Sequence, residues 1–379
     1  MTETGRTPKL IVVRGHGREL QKDRERWALD RFLGPACETV EPNEEPDLVT
    51  RSVPQSLREV RMQIGIQLPQ LGAAASREAI TTAAVRAEEI GLDSVWVCDR
   101  LLRTTRPIPF RGRPPGPMPR DYAIAFDPVE TLAYVAAITD RVHLGTSALL
   151  ALFQSPVLLA RRLATLDQLS GGRVIAGLAA GWLEEEFSAS GLSMARRGRR
   201  MTEFVAALRA AWGHDPVRFE GEFYSIPESD IGPKPVQPGG IPVLLAYRSD
   251  AALDRAARIA DGLNPFATMD LERLERDVVL FRKTAQAAGR DADVLPVVVR
   301  ANTRLTEAPL PEKARPLFAG TLEQWLADLE RVKAIGVGHL IFGSDTPAPL
   351  DVQLEALAEI RRAVHSGSTG RTGAGDRAL

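Results

Sequence analysis

Several short clusters carry residue types able to handle a flat, anionic ligand. Asp99-Arg100 follows the apolar run at 94–98: an aspartate can hold or take a proton, whereas an arginine keeps its charge and can only stabilise negative charge or bind an anion. A surface ion pair between Asp99 and a neighbouring arginine is the plainer alternative. Thr146-Ser147-Ala148 ends a second apolar run, and Gly177, Ala179, Ala180 and Gly181 end a third just before Trp182. Residues this small let a planar group approach the backbone, or let a strand pack closely on a helix. Tyr247-Arg248-Ser249 follows the run at 241–246 and opens the helical stretch AALDRAARIA. Free N–H groups at a helix start suit a phosphate, and Arg248 adds a charge-assisted contact; Ser249 is equally an ordinary N-cap.

Other chemistries find no footing. The 5 histidines, His16, His143, His214, His339 and His365, form no HExxH or other ligand-spaced pair, and there is no GxSxG elbow, Walker loop or Rossmann glycine turn. Metal: none is therefore the expectation. Cys37 and Cys98 are far apart, without disulfide or metal spacing, which fits a reducing compartment. The formal net charge of -1 gives no global electrostatic case for nucleic acid or an anionic membrane. No apolar run reaches the ~18 residues of a membrane span, and the first residues lack a signal-peptide core, so a cytoplasmic protein is expected.

The elements that must position these clusters recur as one unit: a helix, a Gly or Asp-Gly stop, then a short apolar strand. AEEIGLDSVWV at 87–97 and VKAIGVGHLIF at 332–342 are near copies, with Gly91 and Gly336 as stops. Strands are expected near 64–68, 94–98, 142–149, 173–178, 242–246, 262–266, 295–301 and 338–342. Asp127-Pro128 and Ser155-Pro156 each place a capping side chain before a helix-opening proline, and Thr321 with Gln324 forms a capping box. About eight such units imply an α/β protein with a (β/α)8 TIM barrel; a doubly wound open sheet is the runner-up. Insertions fall at 102–126, after strand 2, and at 213–240, before strand 5, where FEGEFYSI reads as a hairpin. The barrel is assigned to 62–365, residues 1–61 to a partly disordered N-terminal extension and 366–379 to a disordered tail. Met62 is compatible with a natural start. The Arg-rich insertion (Arg103, Arg106, Arg111, Arg113, Arg120) either folds over the site or is solvated, and Arg196-Arg197-Gly198-Arg199-Arg200 reads as a structural face.

IGIQLP, AEEIGLDSVWVCD, DRVHLGTSALL, SPVLLARRLATLDQLSGGRVIAGLAAGW, FEGEFYSI, PKPVQPGGIPVLLA and AALDRAARIADG together resemble the bacterial-luciferase-like family, in its deazaflavin (coenzyme F-420)-dependent oxidoreductase branch. The resemblance implies a barrel mouth holding the cofactor ring, with Gln67, Thr146, Ser147, Ala148, Gly177, Ala179, Gly181, Trp182, Tyr247, Arg248 and Ser249 binding it, and a non-proline cis peptide at Ser147-Ala148. Asp99 and Arg100 are the implied catalytic pair, although the family usually has Asp-His there. The usual Gly-Gly or Gly-Ser before the phosphate helix is Tyr247-Arg248, and the acid of sugar-phosphate-oxidising relatives is Trp182. The implied activity is hydride transfer to or from a small organic substrate. A reduced-FMN-dependent monooxygenase fed by a separate reductase is the alternative, and a catalytically silent flavin-binding barrel a third reading. Relatives are often homodimers, which Ala-rich faces at 79–89 and 131–138 permit.

Overall fold

The computed structural model describes residues 62–366 except 111–112, 266–270, 314 and 345–348. The extension at 1–61 and the tail from 367, both singled out in the sequence, lie outside the described residues.

Strand and helix alternate along the chain. Strand β1 (Gln63–Gln67) leads to α1 (Arg77–Glu89) and β2 (Ser94–Val97), followed by a hairpin of β3 (Ile108–Phe110) and β4 (Arg113–Gly116). Next come α2 (Pro128–Ala136), β5 (His143–Thr146), the short β6 (Leu149–Leu150), α3 (Pro156–Ser170) and β7 (Val174–Ala179). Helices α4 (Glu184–Ala189) and α5 (Arg197–Ala211) precede a second hairpin, β8 (Val217–Glu220) and β9 (Ser225–Ser229). The rest is β10 (Val243–Leu245), α6 (Asp250–Ile259), β11 (Gly262–Leu263), α7 (Leu271–Ala287), β12 (Val298–Leu305), β13 (Ala319–Gly320), α8 (Leu322–Ala334), β14 (His339–Ser344) and α9 (Leu350–Ser366).

Eight parallel strands run in the order β11-β10-β7-β5-β2-β1-β14-β12. A parallel bridge between Leu263 and Val297 joins the two ends of that order, so the ring meets itself as a TIM barrel requires. The runner-up open sheet is thereby set aside. Local signals act as expected. The Asp127 carboxylate caps α2, Ser155 caps α3, and the Thr321–Gln324 capping box is formed. Gly91 and Gly336 end their helices at φ 77° and 85°, a conformation other residues resist. The hairpin expected at FEGEFYSI is β8–β9, pairing Phe219 with Ile226.

Alternation along the strands sorts side chains to the two faces of the barrel wall. Ile64, Ile66, Val95, Val97, Val299 and Ala301 join the core beneath the helices, whereas Trp96, Ile175, Leu244, Val298 and Ile341 form a separate cluster inside the ring. Trp96 fills so much of that interior that a Cβ on Gly145 would stand 2.2 Å from its Cε3. Where the strands begin, Trp96 Nε1 donates to Ser94 Oγ, which lies 2.7 Å from His339 Nε2. Burial lowers His339 to about 3, keeping it neutral near pH 7, and its place at the strands' N-terminal ends separates it from the mouth where such barrels carry chemistry.

Candidate active site

At the C-terminal ends of the strands a cavity of about 440 Å³ opens. Its lining includes Asp99, Arg100, Ser147, Ala148, Ala179, Gly181, Trp182, Tyr247, Arg248 and Ser249, so most of the residues singled out in the sequence converge there. The Ser147–Ala148 peptide is cis, as the resemblance implied. Ser147 Oγ donates to Asn264 Oδ1 at 3.0 Å, and Asn264 Nδ2 donates to the Val298 carbonyl at 2.8 Å. Asn264, buried and lining the cavity, thus ties this small-residue bed to β12; sequence reasoning missed it. A polar residue closing the strand-like GLN was the available signal.

Three of the singled-out residues do not line the cavity. Thr146 Oγ1 donates to the Gly177 carbonyl at 2.8 Å, and a Cβ on Gly177 would stand 1.9 Å from the Thr146 carbonyl oxygen. Close packing accounts for that glycine, but against the neighbouring strand β5 rather than against a helix as the sequence reading had it. Gly177→Ala is expected to lower stability by about 1–3 kcal/mol or more in urea unfolding of cofactor-free protein. Gln67 lies below the lining, its Nε2 donating to Cys98 Sγ at 3.5 Å and its buried Oε1 without a partner. Gly181 does reach the cavity, but its φ of 80° and a hypothetical Cβ 3.0 Å from Phe153 Cζ give it a structural reason as well.

Asp99 and Arg100 have separate surroundings. Asp99 Oδ2 accepts from Leu150 N at 2.9 Å. Burial pushes the Asp99 carboxyl above the usual aspartate range, outweighing that hydrogen bond and the nearby arginine. Arg100 pairs with Glu186 rather than Asp99: its Nη1 lies 2.9 Å from Glu186 Oε2, with side chains 8% and 0% exposed. The surface ion pair considered from the sequence is thus replaced by a buried one with a different carboxylate. Glu186 also accepts from the backbone of Leu101 and Leu102, anchoring the loop after β2, and burial raises its carboxyl. The Arg100 guanidinium lies 5.4 Å from the Tyr122 ring centre and 5.3 Å from that of Trp182, forming a cationic and aromatic wall. Nothing in the EEE run of 184–186 marked Glu186 for burial.

The insertion after β2 folds over this wall. Ile108, Met118 and Leu183 form a small core with Leu102, Tyr122 and Trp182 against it. Arg103 donates to the Met118 and Pro119 carbonyls, and Arg106 pairs with Glu185 at 2.7 Å. Of the two readings of the loop, folding over the site holds for these parts.

The helix start singled out in the sequence for a phosphate is that of α6. Ser249 caps it, accepting from Ala252 N at 3.4 Å, and Arg248 stacks 5.3 Å from the Trp182 ring centre. The Tyr247 hydroxyl donates to Asp277 Oδ2 at 2.7 Å, which together with burial raises its phenol. The RRGRR cluster divides, which corrects its reading as a structural face. Arg196 and Arg199 pair with Glu222, Arg196 and Arg197 both border the cavity, and bare Gly198 lets Arg255 approach, since a Cβ there would stand 2.7 Å from Arg255 Nη1. Burial and the charge of Arg197 lower both Arg248 and Arg255. Among the described residues no carboxylate ion-pairs with Arg197, Arg248 or Arg255, so three positive charges gather where a helix start also favours an anion.

Among the described residues no cluster of His, Cys, Asp or Glu could hold a metal, and no helix is long and apolar enough to cross a membrane. Comparison with known proteins places this geometry. The chain is 37% identical over 186 residues to the F420-dependent glucose-6-phosphate dehydrogenase of Amycolatopsis mediterranei (strain U-32), covering 47% of this chain and 50% of that one. It is 32% identical over 185 residues to the FMNH(2)-dependent dimethylsulfone monooxygenase of Pseudomonas putida, covering 48% and 49%. Each match thus spans about half of that relative. An F420-dependent secondary alcohol dehydrogenase in complex with an F420-acetone adduct superposes with a TM-score of 0.67 at 20% identity, covering 80% of this chain and 99% of that one, a likeness of fold. Residues 62–369 match the family described as luciferase-like monooxygenase, and with the barrel and its mouth in place, this chain belongs to that family of oxidoreductases.

Proposed function

We propose that this barrel moves a hydride between a deazaflavin of the coenzyme F420 type and a small organic substrate lying over the ring. The observation that carries this reading is the uncompensated cluster of Arg197, Arg248 and Arg255 beside a cavity of about 440 Å³. Charges spread this way suit a tail bearing a phosphodiester and further carboxylates better than one phosphate. Six arginines and a single carboxylate, Asp99, line the cavity, so an acidic ligand fits and a basic one does not. The relative that uses F420 supports the same reading.

When bound, the deazaflavin supplies the hydride chemistry, and the protein supplies placement. The Ser147–Ala148 bed, held by Asn264, supports the ring. Trp182, Tyr122 and the Arg100–Glu186 pair close off one side from water. Asp99, protonated to higher pH than an ordinary aspartate, exchanges the proton at the substrate oxygen. Titrating cofactor-free protein separately with the deazaflavin coenzyme and with FMN, following cofactor fluorescence, is expected to show saturable micromolar binding of the deazaflavin. Micromolar FMN binding with none of the deazaflavin would favour the reduced-FMN monooxygenase reading, which the dimethylsulfone monooxygenase relative represents.

A further inference from the structure

Along β12, Val299 and Ala301 join the core beneath the helices, while Val298 belongs to the cluster inside the ring. Arg300 shares the inward face of Val298 one step nearer the mouth, where it lines the cavity. Several other shielded guanidiniums are matched by the fold. Arg173 donates to the carbonyls of Ser170, Val142, Ala136 and Thr139, Arg290 to those of Ala257 and Ala260, Arg315 holds Asp328, and Arg100 holds Glu186. Arg300 is matched by no described residue, and its buried Nε lacks any partner. On the neighbouring β14, Gly343 leaves it room: a Cβ there would stand 3.5 Å from Arg300 Nε and 2.7 Å from Gln67 Oε1.

A half-buried guanidinium without a counter-ion is costly, and its planar fork suits the two oxygens of a carboxylate. Arg300 is set apart from the Arg197–Arg248–Arg255 cluster. Those three stand on α5, on α6 and just before α6, outside the ring of strands. Arg300 projects from a strand into the ring, two residues beyond the Val298 carbonyl through which Asn264 and Ser147 are held. We propose that Arg300 receives a carboxylate on the substrate, so that the substrates are small organic acids. This rests on the reading above, in which the outer cluster takes the anions of the cofactor.

Benzoate and benzamide, alike in shape and differing in charge, probe the assignment. Their binding to the full chain is measured by calorimetry, without cofactor and with deazaflavin bound, in wild type, Arg300→Met, Arg300→Lys and the Arg197→Ala/Arg255→Ala double variant. Deazaflavin affinity is measured on each by fluorescence. Benzoate is expected to bind wild type about tenfold or more tighter than benzamide. Arg300→Met should erase that preference, Arg300→Lys keep part of it, and the double variant keep it all, while Arg300→Met leaves deazaflavin affinity within about threefold. No preference in wild type overturns the proposal. So does a preference that survives Arg300→Met, or one lost only in the double variant, which would place the carboxylate on the outer cluster. A loss of deazaflavin affinity in Arg300→Met as large as its loss of benzoate affinity also overturns it, by assigning Arg300 to the cofactor. If Arg300→Met does not fold, a full benzoate preference lost in Arg300→Lys counts for a carboxylate on the planar fork, and an unchanged one counts against it. Failure of deazaflavin to bind wild type removes the cofactor reading alone, because the benzoate comparison is made on cofactor-free protein too.

Discussion

Replacing Arg197 and Arg255 together by alanine is expected to weaken deazaflavin binding by about 10²–10⁴-fold, since each charge-assisted hydrogen bond contributes about 1.5–3 kcal/mol. The size of the effect follows from the setting. Both arginines border the cavity, neither ion-pairs with a described carboxylate, and Arg197 depresses its neighbours Arg248 and Arg255. Removing mutually repelling charges should leave the cofactor-free protein as stable as before or more so, which separates a ligand-binding role from a structural one. Fluorescence titrations at increasing salt should show a shallower salt dependence for the variant, because fewer ions remain to be screened. An unchanged affinity at low salt would move the anion site elsewhere.

Asp99→Asn is expected to lower turnover by about 10²–10⁴-fold while leaving cofactor affinity nearly unchanged, as removal of a proton-exchanging group does. Its pH dependence has a definite sign. The folded-state pKa of Asp99 lies above the unfolded value, so the folded chain binds the proton more tightly, and stability is lost as pH rises from the unfolded pKa through the folded one. The asparagine variant avoids that loss, so it should be the more stable of the two near neutral pH. Reduction of substrate, which needs a protonated acid, should decline in wild type as pH rises through the raised pKa, and substrate oxidation should change in the opposite sense. Steady-state kinetics across pH, with thermal melts of both proteins, tests these outcomes; turnover within a few-fold of wild type would remove Asp99 from proton exchange.

The barrel was legible in the sequence because its signals are local. Runs of apolar residues, the glycine stops at Gly91 and Gly336, and the caps at Asp127, Ser155 and Thr321 each act within a few residues of chain. All eight expected strands recur within a few residues of their places, and strand β12 extends further toward the mouth than expected. Its extra length brings Asn302 into the strand, and the register with β14, which pairs Arg300 with Ile341, decides that Arg300 shares the inward face of Val298.

Charged groups were the less legible part, since a charge acts through whatever is folded against it. Arg100 and Arg300 look alike as letters, yet Glu186, 86 residues from Arg100, engages one of them and no described residue engages the other. Arg197 and its neighbours Arg196 and Arg199 differ in what folds against them: the last two meet Glu222, while Arg197 borders the cavity beside Arg248 and Arg255 with no described carboxylate on it. By itself the sequence determined a family, a barrel and the strand ends where a ring could lie, because periodicity, capping and small residues are properties of neighbouring positions. The tertiary structure alone decided which cations are already neutralised and which have no described carboxylate against them, because compensation of charge depends on distance in space rather than along the chain.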